Sequence, residues 1–211
     1  MSRSATPFLA GFALAIGLFV VGAVLGLPAL RLATKAAPVV LLAGWVARAA
    51  SPSPFRGRVV FGLAFCAVGD LVLELGHFVP GLLAFLVGHL GYVAAFVGET
   101  REPRAVHGLP FAAWGAGAMS FLWAGLGPLA VPVCLYTATI CVMMWRATAM
   151  RSRARPWATA IAAGAIVFAV SDTLIAVNKF HAPFPGARVA ILALYWGGQL
   201  LIARGAVARD G

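Results

Sequence analysis

Eight apolar runs follow one another through this chain with only short breaks, near residues 7–26, 28–49, 58–76, 79–98, 107–125, 127–147, 156–178 and 185–206. A helix needs about 20 such residues to cross a bilayer, so each run is long enough to span. The breaks carry loop chemistry: "SPSPFRGR" at 51–58, "ETREPR" at 99–104, "RSRARP" at 151–156 and "HAPFPG" at 181–186. Of 211 residues, 62% are hydrophobic and 10% charged, too little polar surface to clothe a soluble domain of this length. No stretch is left over for one. The pattern predicts a single polytopic membrane domain over 1–211, an all-α integral membrane protein built as a bundle of eight transmembrane helices.

The formal net charge is +10, a balance that in a soluble domain would suggest nucleic acid. Here the basic residues are scattered between apolar runs and form no patch, so no nucleic-acid partner is expected. Their distribution follows the positive-inside rule instead. With eight spans, one side receives Arg3, Arg48, Arg56, Arg58, Arg101, Arg104, Arg146, Arg151, Arg153, Arg155, Arg204 and Arg209, and the other only Arg31, Lys35, Lys179 and Arg188. That bias of twelve against four puts both termini in the cytoplasm, with a bacterial cytoplasmic membrane as the expected location. Arg3 ahead of an apolar run imitates a signal peptide. The run is long enough to span and further spans follow it, so it reads as a retained first helix.

An internal echo aligns the third run with the seventh. "AVGDLVL" at 67–73 matches "AVSDTLI" at 169–175, which places Asp70 and Asp172 in the same context, and Phe78 and Phe180 share the same offset. An even number of spans separates the two copies, so a duplication would give two parallel four-helix repeats.

These aspartates are the costly feature, because a carboxylate at the centre of a spanning helix carries a penalty of about 3 kcal/mol. Each stands six residues before the outer end of its run, about 9 Å below that boundary. Lys35 enters at a comparable depth, and His89, Tyr136 and Tyr195 lie one to two turns deeper. Helical spacing puts Phe85, His89, Tyr92 and Phe96 on one face. It likewise pairs Tyr195 with Gln199, and Asp70 with Glu74, the latter expected to reach toward the headgroups. Each residue also has a plainer role: an interhelical hydrogen bond for an aspartate, a satisfied core position for His89, a snorkelling stem for Lys35.

Several chemistries lack their residues. Cys66, Cys134 and Cys141 are odd in number and form no Cys-x-x-Cys pair, so no disulfide framework or thiolate zinc site is expected. No His-x-x-x-His pair occurs, the histidines other than His89 fall at the ends of runs, and there is no Gly-x-Ser-x-Gly elbow. No metal site is expected. Two buried carboxylates remain, a pattern that means either acid–base catalysis or proton-coupled movement.

The chain resembles the YhhN-like membrane proteins, which include lysoplasmalogenases. The markers, in order, are "KAAP" at 35–38, "GDLVLEL" at 69–75, "GLLAFLVGHLGYVAAF" at 81–96, Tyr136, "FAVSDTLIAVNKF" at 168–180 and "YWGGQLLI" at 195–202. The family is eight-span. The resemblance implies hydrolysis of the vinyl ether bond of lysoplasmalogens, with lysolipid and water as partners within the bilayer, no cofactor, and the family's two catalytic aspartates falling on Asp70 and Asp172. Such hydrolysis begins with protonation of the β-carbon, so one carboxyl would deliver the proton and the other would stabilise the resulting cation. Lys35, His89, Tyr92, Tyr136, Asn178, Tyr195 and Gln199 would position water and the glycerol hydroxyl, with Lys35 holding the anionic aspartate or reaching the phosphate. A proton-coupled transporter of small molecules or lipids is the competing reading, and a lipid-binding scaffold a third.

Overall fold

The computed structural model describes residues 5–100, 102, 104–151 and 155–209. Of the basic residues counted above, Arg3, Arg101 and Arg153 lie outside the described residues. Among those described there is no strand, and nine α-helices follow in order: α1 (Thr6–Val24), α2 (Pro28–Lys35), α3 (Ala37–Ala49), α4 (Pro54–Glu74), α5 (Phe78–Glu99), α6 (Leu109–Leu126), α7 (Ala130–Ala149), α8 (Pro156–Phe180) and α9 (Ala187–Ala208). Six segments are long and apolar enough to cross a membrane: Thr6–Val24, Pro28–Ala49, Phe78–Glu99, Ala105–Ala149, Pro156–Phe180 and Ala187–Ala208. That is fewer than eight, for two reasons. Ala105–Ala149 is a 45-residue stretch that holds both α6 and α7. α4 is 21 residues long but carries Arg56, Arg58, Asp70 and Glu74.

The second apolar run is broken. α2 stops at Lys35 and α3 starts at Ala37, with Pro38 in its first turn. Proline has no N–H to give the carbonyl four residues back and its ring crowds that position, so the helix restarts there. At the head of α4 the local signals agree: Ser53 accepts the Arg56 backbone N–H at 3.2 Å and Pro54 occupies the first helical position. That cap starts the helix four residues before the apolar run begins.

The chain divides into two compact units, one running to Ala95 and including the segment from Ala206, the other Phe96–Gly205. In the first, α1 packs on α2 and α3, and α3 on α4. α4 meets α5 at glycines. A Cβ on Gly62 would lie 2.5 Å from the Tyr92 ring, and one on Gly69 would lie 2.6 Å from the Phe85 ring. Arg56 donates to the carbonyls of Ala47 and Ala50 at the end of α3, and Arg58 to the Ala94 carbonyl. Arg56, counted by the charge asymmetry, therefore also satisfies carbonyls that the end of α3 leaves open.

In the second unit α7 packs on α6 and α8, and α6 touches α8. α8 and α9 approach at their backbones, for a Cβ on Gly164 would lie 2.7 Å from the Gly198 carbonyl oxygen. Ser171 Oγ donates to the Ile191 carbonyl at 2.8 Å across the same pair. Arg146 is buried, and donates to the backbone carbonyls of Thr100 and Glu102 in the preceding loop.

Candidate active site

In the first unit the glycine contacts of α4 fix which way its acidic residue turns. With Gly62, Cys66 and Gly69 buried against neighbouring helices, Asp70 follows on the same flank and is 2% exposed. On α5 the face expected from spacing is the inner one: Phe85, His89, Tyr92 and Phe96 are all buried. His89 Nδ1 lies 2.7 Å from the Phe85 carbonyl oxygen. A carbonyl only accepts, so Nδ1 carries a hydrogen and donates it. Tyr92 is fully enclosed over Gly62.

Lys35 meets a carboxylate, and that carboxylate is Glu74. Its Nζ is 3.6 Å from Glu74 Oε2, and Arg31 Nη2 binds Glu74 Oε1. The Glu74 side chain is only 6% exposed, which corrects the expectation that it reaches toward the headgroups. A carboxylate at a helix C-terminus faces the negative end of the helix dipole, and two cations from α2 offset that. Sequence reasoning missed Arg31. Its available signal was the four-residue spacing to Lys35, which puts both on one face of α2. Glu74 and His77 stand in the Glu-x-x-His spacing that binds metal in some helical bundles. The Glu74 carboxylate is taken by cations and His77 is exposed. Among the described residues no three His, Cys, Asp or Glu side chains gather.

The helix ends shift the depth argument. Asp70 stands four residues before the end of α4, and Asp172 eight before the end of α8. Their rises below their own helix ends are about 6 Å and about 12 Å. They are not the equal 9 Å read from the apolar runs, because α8 continues to Phe180 while α4 closes at Glu74.

In the second unit Asp172 is buried on α8 and takes a hydrogen bond from the Tyr136 hydroxyl of α7, Oη to Oδ2 2.8 Å. One turn of α8 is further anchored by Thr173, whose hydroxyl donates to the Ala169 carbonyl and lies 3.4 Å from Trp114 Nε1. Tyr195 is buried, edge-on to Phe168 with ring centroids 5.2 Å apart, and Gln199, one turn along α9, is fully enclosed. Asn178 serves the chain itself: its Oδ1 accepts the Phe184 backbone N–H at 3.3 Å, shaping the turn between α8 and α9. Of the residues singled out from sequence, Tyr136 and Asp172 are thus brought together directly. Lys35 is brought to Glu74, while His89 and Asn178 bond to backbone.

Residues 30–206 match the YhhN family model. The chain is 40% identical over 163 residues to the lysoplasmalogenase TMEM86A of Homo sapiens, covering 73% of this chain and 67% of that one. It is 34% identical over 178 residues to the lysoplasmalogenase TMEM86B of Homo sapiens, covering 82% and 74%. It is also 31% identical over 188 residues to a lysoplasmalogenase of Mycobacterium tuberculosis, covering 83% and 70%. No solved structure matches the chain.

Proposed function

The chain belongs to the YhhN family, and from that premise we propose that it is a lysoplasmalogenase. In this reading it is a multi-pass membrane hydrolase that cleaves the vinyl ether bond of lysolipids to a fatty aldehyde and a glycerophospho-alcohol. The observation that carries the reading is the match to lysoplasmalogenases of Homo sapiens and Mycobacterium tuberculosis over most of the chain. Buried carboxylates at Asp70 and Asp172 support it, since the reaction needs an acid and a counter-charge.

The roles divide as follows. Asp70 gives its proton to the β-carbon of the vinyl ether, the double bond's electrons form the new C–H bond, and the ether carbon becomes an oxocarbenium ion. Asp172 faces that cation as the anion. The Tyr136 hydroxyl supports this assignment, because a donor aimed at a carboxylate favours its charged form. Water adds to the cationic carbon and gives its proton to Asp70, which restores the acid. The hemiacetal hydroxyl then gives up its proton as the C–O bond to the glycerol breaks, the departing oxygen takes up a proton, and aldehyde and alcohol are released. In this division one carboxyl stays protonated as the acid and the other stays anionic, the assignment that follows when environments push two carboxyl groups apart. Lys35, His89, Tyr92, Tyr195 and Gln199 would orient the lysolipid and water around this exchange.

Eight crossings follow if α6 and α7 each span and α4 spans despite its four charges, with both termini cytoplasmic and the bacterial cytoplasmic membrane as the location. The matched contexts of Asp70 and Asp172 support two parallel four-helix repeats. A reporter inserted between residues 151 and 155 reads cytoplasmic in this topology; an external signal overturns it. The activity is tested by incubating detergent-solubilised protein with lysoplasmenylethanolamine. Release of fatty aldehyde without a sealed compartment supports hydrolysis. Movement of substrate in sealed vesicles with no aldehyde formed supports the transporter instead.

A further inference from the structure

The proton transfers above pass through no cation, yet the first unit gathers two at the end of α4. Arg31 and Lys35 share one face of α2 and hold the two oxygens of a single carboxylate, Glu74. Two positive charges against one negative leave the cluster at net +1. Glu74 lies innermost, its side chain 6% exposed against 26% for Arg31 and 12% for Lys35. The Phe19 ring backs the lysine, 5.3 Å from Nζ to its centroid. Arg31 Nε is buried and has no hydrogen-bond partner among the described residues. A guanidinium offers five donors and an ammonium three, so the carboxylate fixes both cations and leaves donors unused, the Arg31 Nε among them. An excess positive charge with unused planar donors at the end of apolar helices matches a phosphate.

The spacing along α4 says which phosphate. Glu74 is one turn beyond Asp70 on the same helix, and four residues rise about 6 Å. In a lysolipid, five bonds separate the vinyl ether oxygen from phosphorus. At the extension of a peptide chain, about 3.5 Å for three bonds, they span about 6 Å. We infer that Arg31 and Lys35, locked in place by Glu74, bind the phosphodiester of the lysolipid and thereby set its vinyl ether at the level of Asp70. The inference rests on the lysolipid reading for its substrate. It adds a specificity: the headgroup is recognised by its phosphate, so ethanolamine and choline lysolipids are bound alike, and a 1-alkenylglycerol without phosphate is bound weakly.

A saturated 1-O-alkyl chain has no double bond to protonate, so it reports binding without hydrolysis. Purified protein in phospholipid-free detergent is titrated with 1-O-alkyl-glycerophosphoethanolamine and with 1-O-alkylglycerol. The wild type is expected to bind the phosphate-bearing ligand about ten- to a hundredfold tighter, the range of charged hydrogen bonds. Arg31→Gln and Lys35→Gln each lose most of that preference while binding the neutral ligand as the wild type does, and Arg31→Lys keeps part of it. Equal wild-type affinity for the two ligands overturns the inference without recourse to any variant, as does equal weakening of both ligands in the glutamine variants. A competition arm separates the sources of phosphate. If diacyl phosphatidylglycerol displaces the lysolipid at equal concentration, the occupant is a bulk bilayer lipid and the substrate assignment falls. Phosphate preference without any aldehyde release from the vinyl ether counterpart overturns the hydrolase reading alone. Aldehyde release without the preference overturns the headgroup site alone.

Discussion

Tyr136→Phe removes one oxygen atom and one hydrogen bond, and it isolates the support given to Asp172. The hydroxyl donates to Asp172 Oδ2 at 2.8 Å, with both residues buried. Hydrogen bonds to charged groups are worth about 1.5–3 kcal/mol. If that energy stabilises Asp172 as the counter-charge of an oxocarbenium ion, its loss falls on the transition state. At 1.36 kcal/mol per decade the expected fall in kcat is about ten- to a hundredfold, with KM little changed because the hydroxyl binds the carboxylate and not the lipid. The assay is aldehyde release by purified protein across a range of lysoplasmenylethanolamine concentrations, beside a thermal unfolding curve to establish that the variant is folded. A double-mutant cycle sharpens it. Once Asp172 is Asn the phenol has no anion to support, so Tyr136→Phe/Asp172→Asn should be little slower than Asp172→Asn alone. A folded Tyr136→Phe enzyme with wild-type kcat, or one whose loss simply multiplies with that of Asp172→Asn, would refute the reasoning.

Asp70→Asn and Asp172→Asn should each lower turnover by about 10²–10⁴-fold, and the double variant should be little worse than the worse single, since the two act as a unit; full additivity in the same aldehyde assay contradicts that. Glu74→Gln leaves Arg31 and Lys35 facing each other without their shared carboxylate. We expect a loss of about 1–3 kcal/mol in unfolding free energy, less than for a fully enclosed pair because Arg31 keeps part of its side chain in solvent; an unchanged denaturation midpoint would show the cluster to be idle. Catalysis by carboxylates alone predicts aldehyde release that survives exhaustive EDTA, whereas activity lost to chelation and restored by zinc would contradict the mechanism.

Hydropathy alone located most of the helices, because a helix in hydrocarbon must be apolar along its length and loops need Pro, Gly and charge. The start of α4 was also readable: Ser53 before Pro54 is a cap followed by a first-turn proline, and it moves the helix start back from 58. Pro38 carries the break between α2 and α3 in plain view, but the whole stretch Pro28–Ala49 has the 22-residue length of a single crossing, which masks it. The buried face of α5 followed directly from spacing, since periodicity reports which side of a helix is turned inward. Partner choice did not follow. Lys35 had several carboxylates within reach in sequence terms, and only the packing of α2 against α4 selects Glu74. Arg31 enters the sequence reading only as one of the four basic residues on the sparser side, and its carboxylate partner shows only once α2 packs on α4. Asn178 reads from sequence as a water-binding amide, and its Oδ1 also accepts the Phe184 backbone N–H, a contact six residues away that no periodicity encodes.

The most direct test of two-carboxylate vinyl ether hydrolysis is an isotope experiment on the purified protein. Protonation at the β-carbon by an exchangeable carboxyl leaves a solvent hydrogen at C-2 of the aldehyde. Turnover of lysoplasmenylethanolamine in D₂O should therefore release fatty aldehyde carrying one deuterium at C-2, and Asp70→Asn should slow that release by about 10²–10⁴-fold. Aldehyde formed without deuterium at C-2, or labelled aldehyde released by Asp70→Asn at the wild-type rate, would contradict the account.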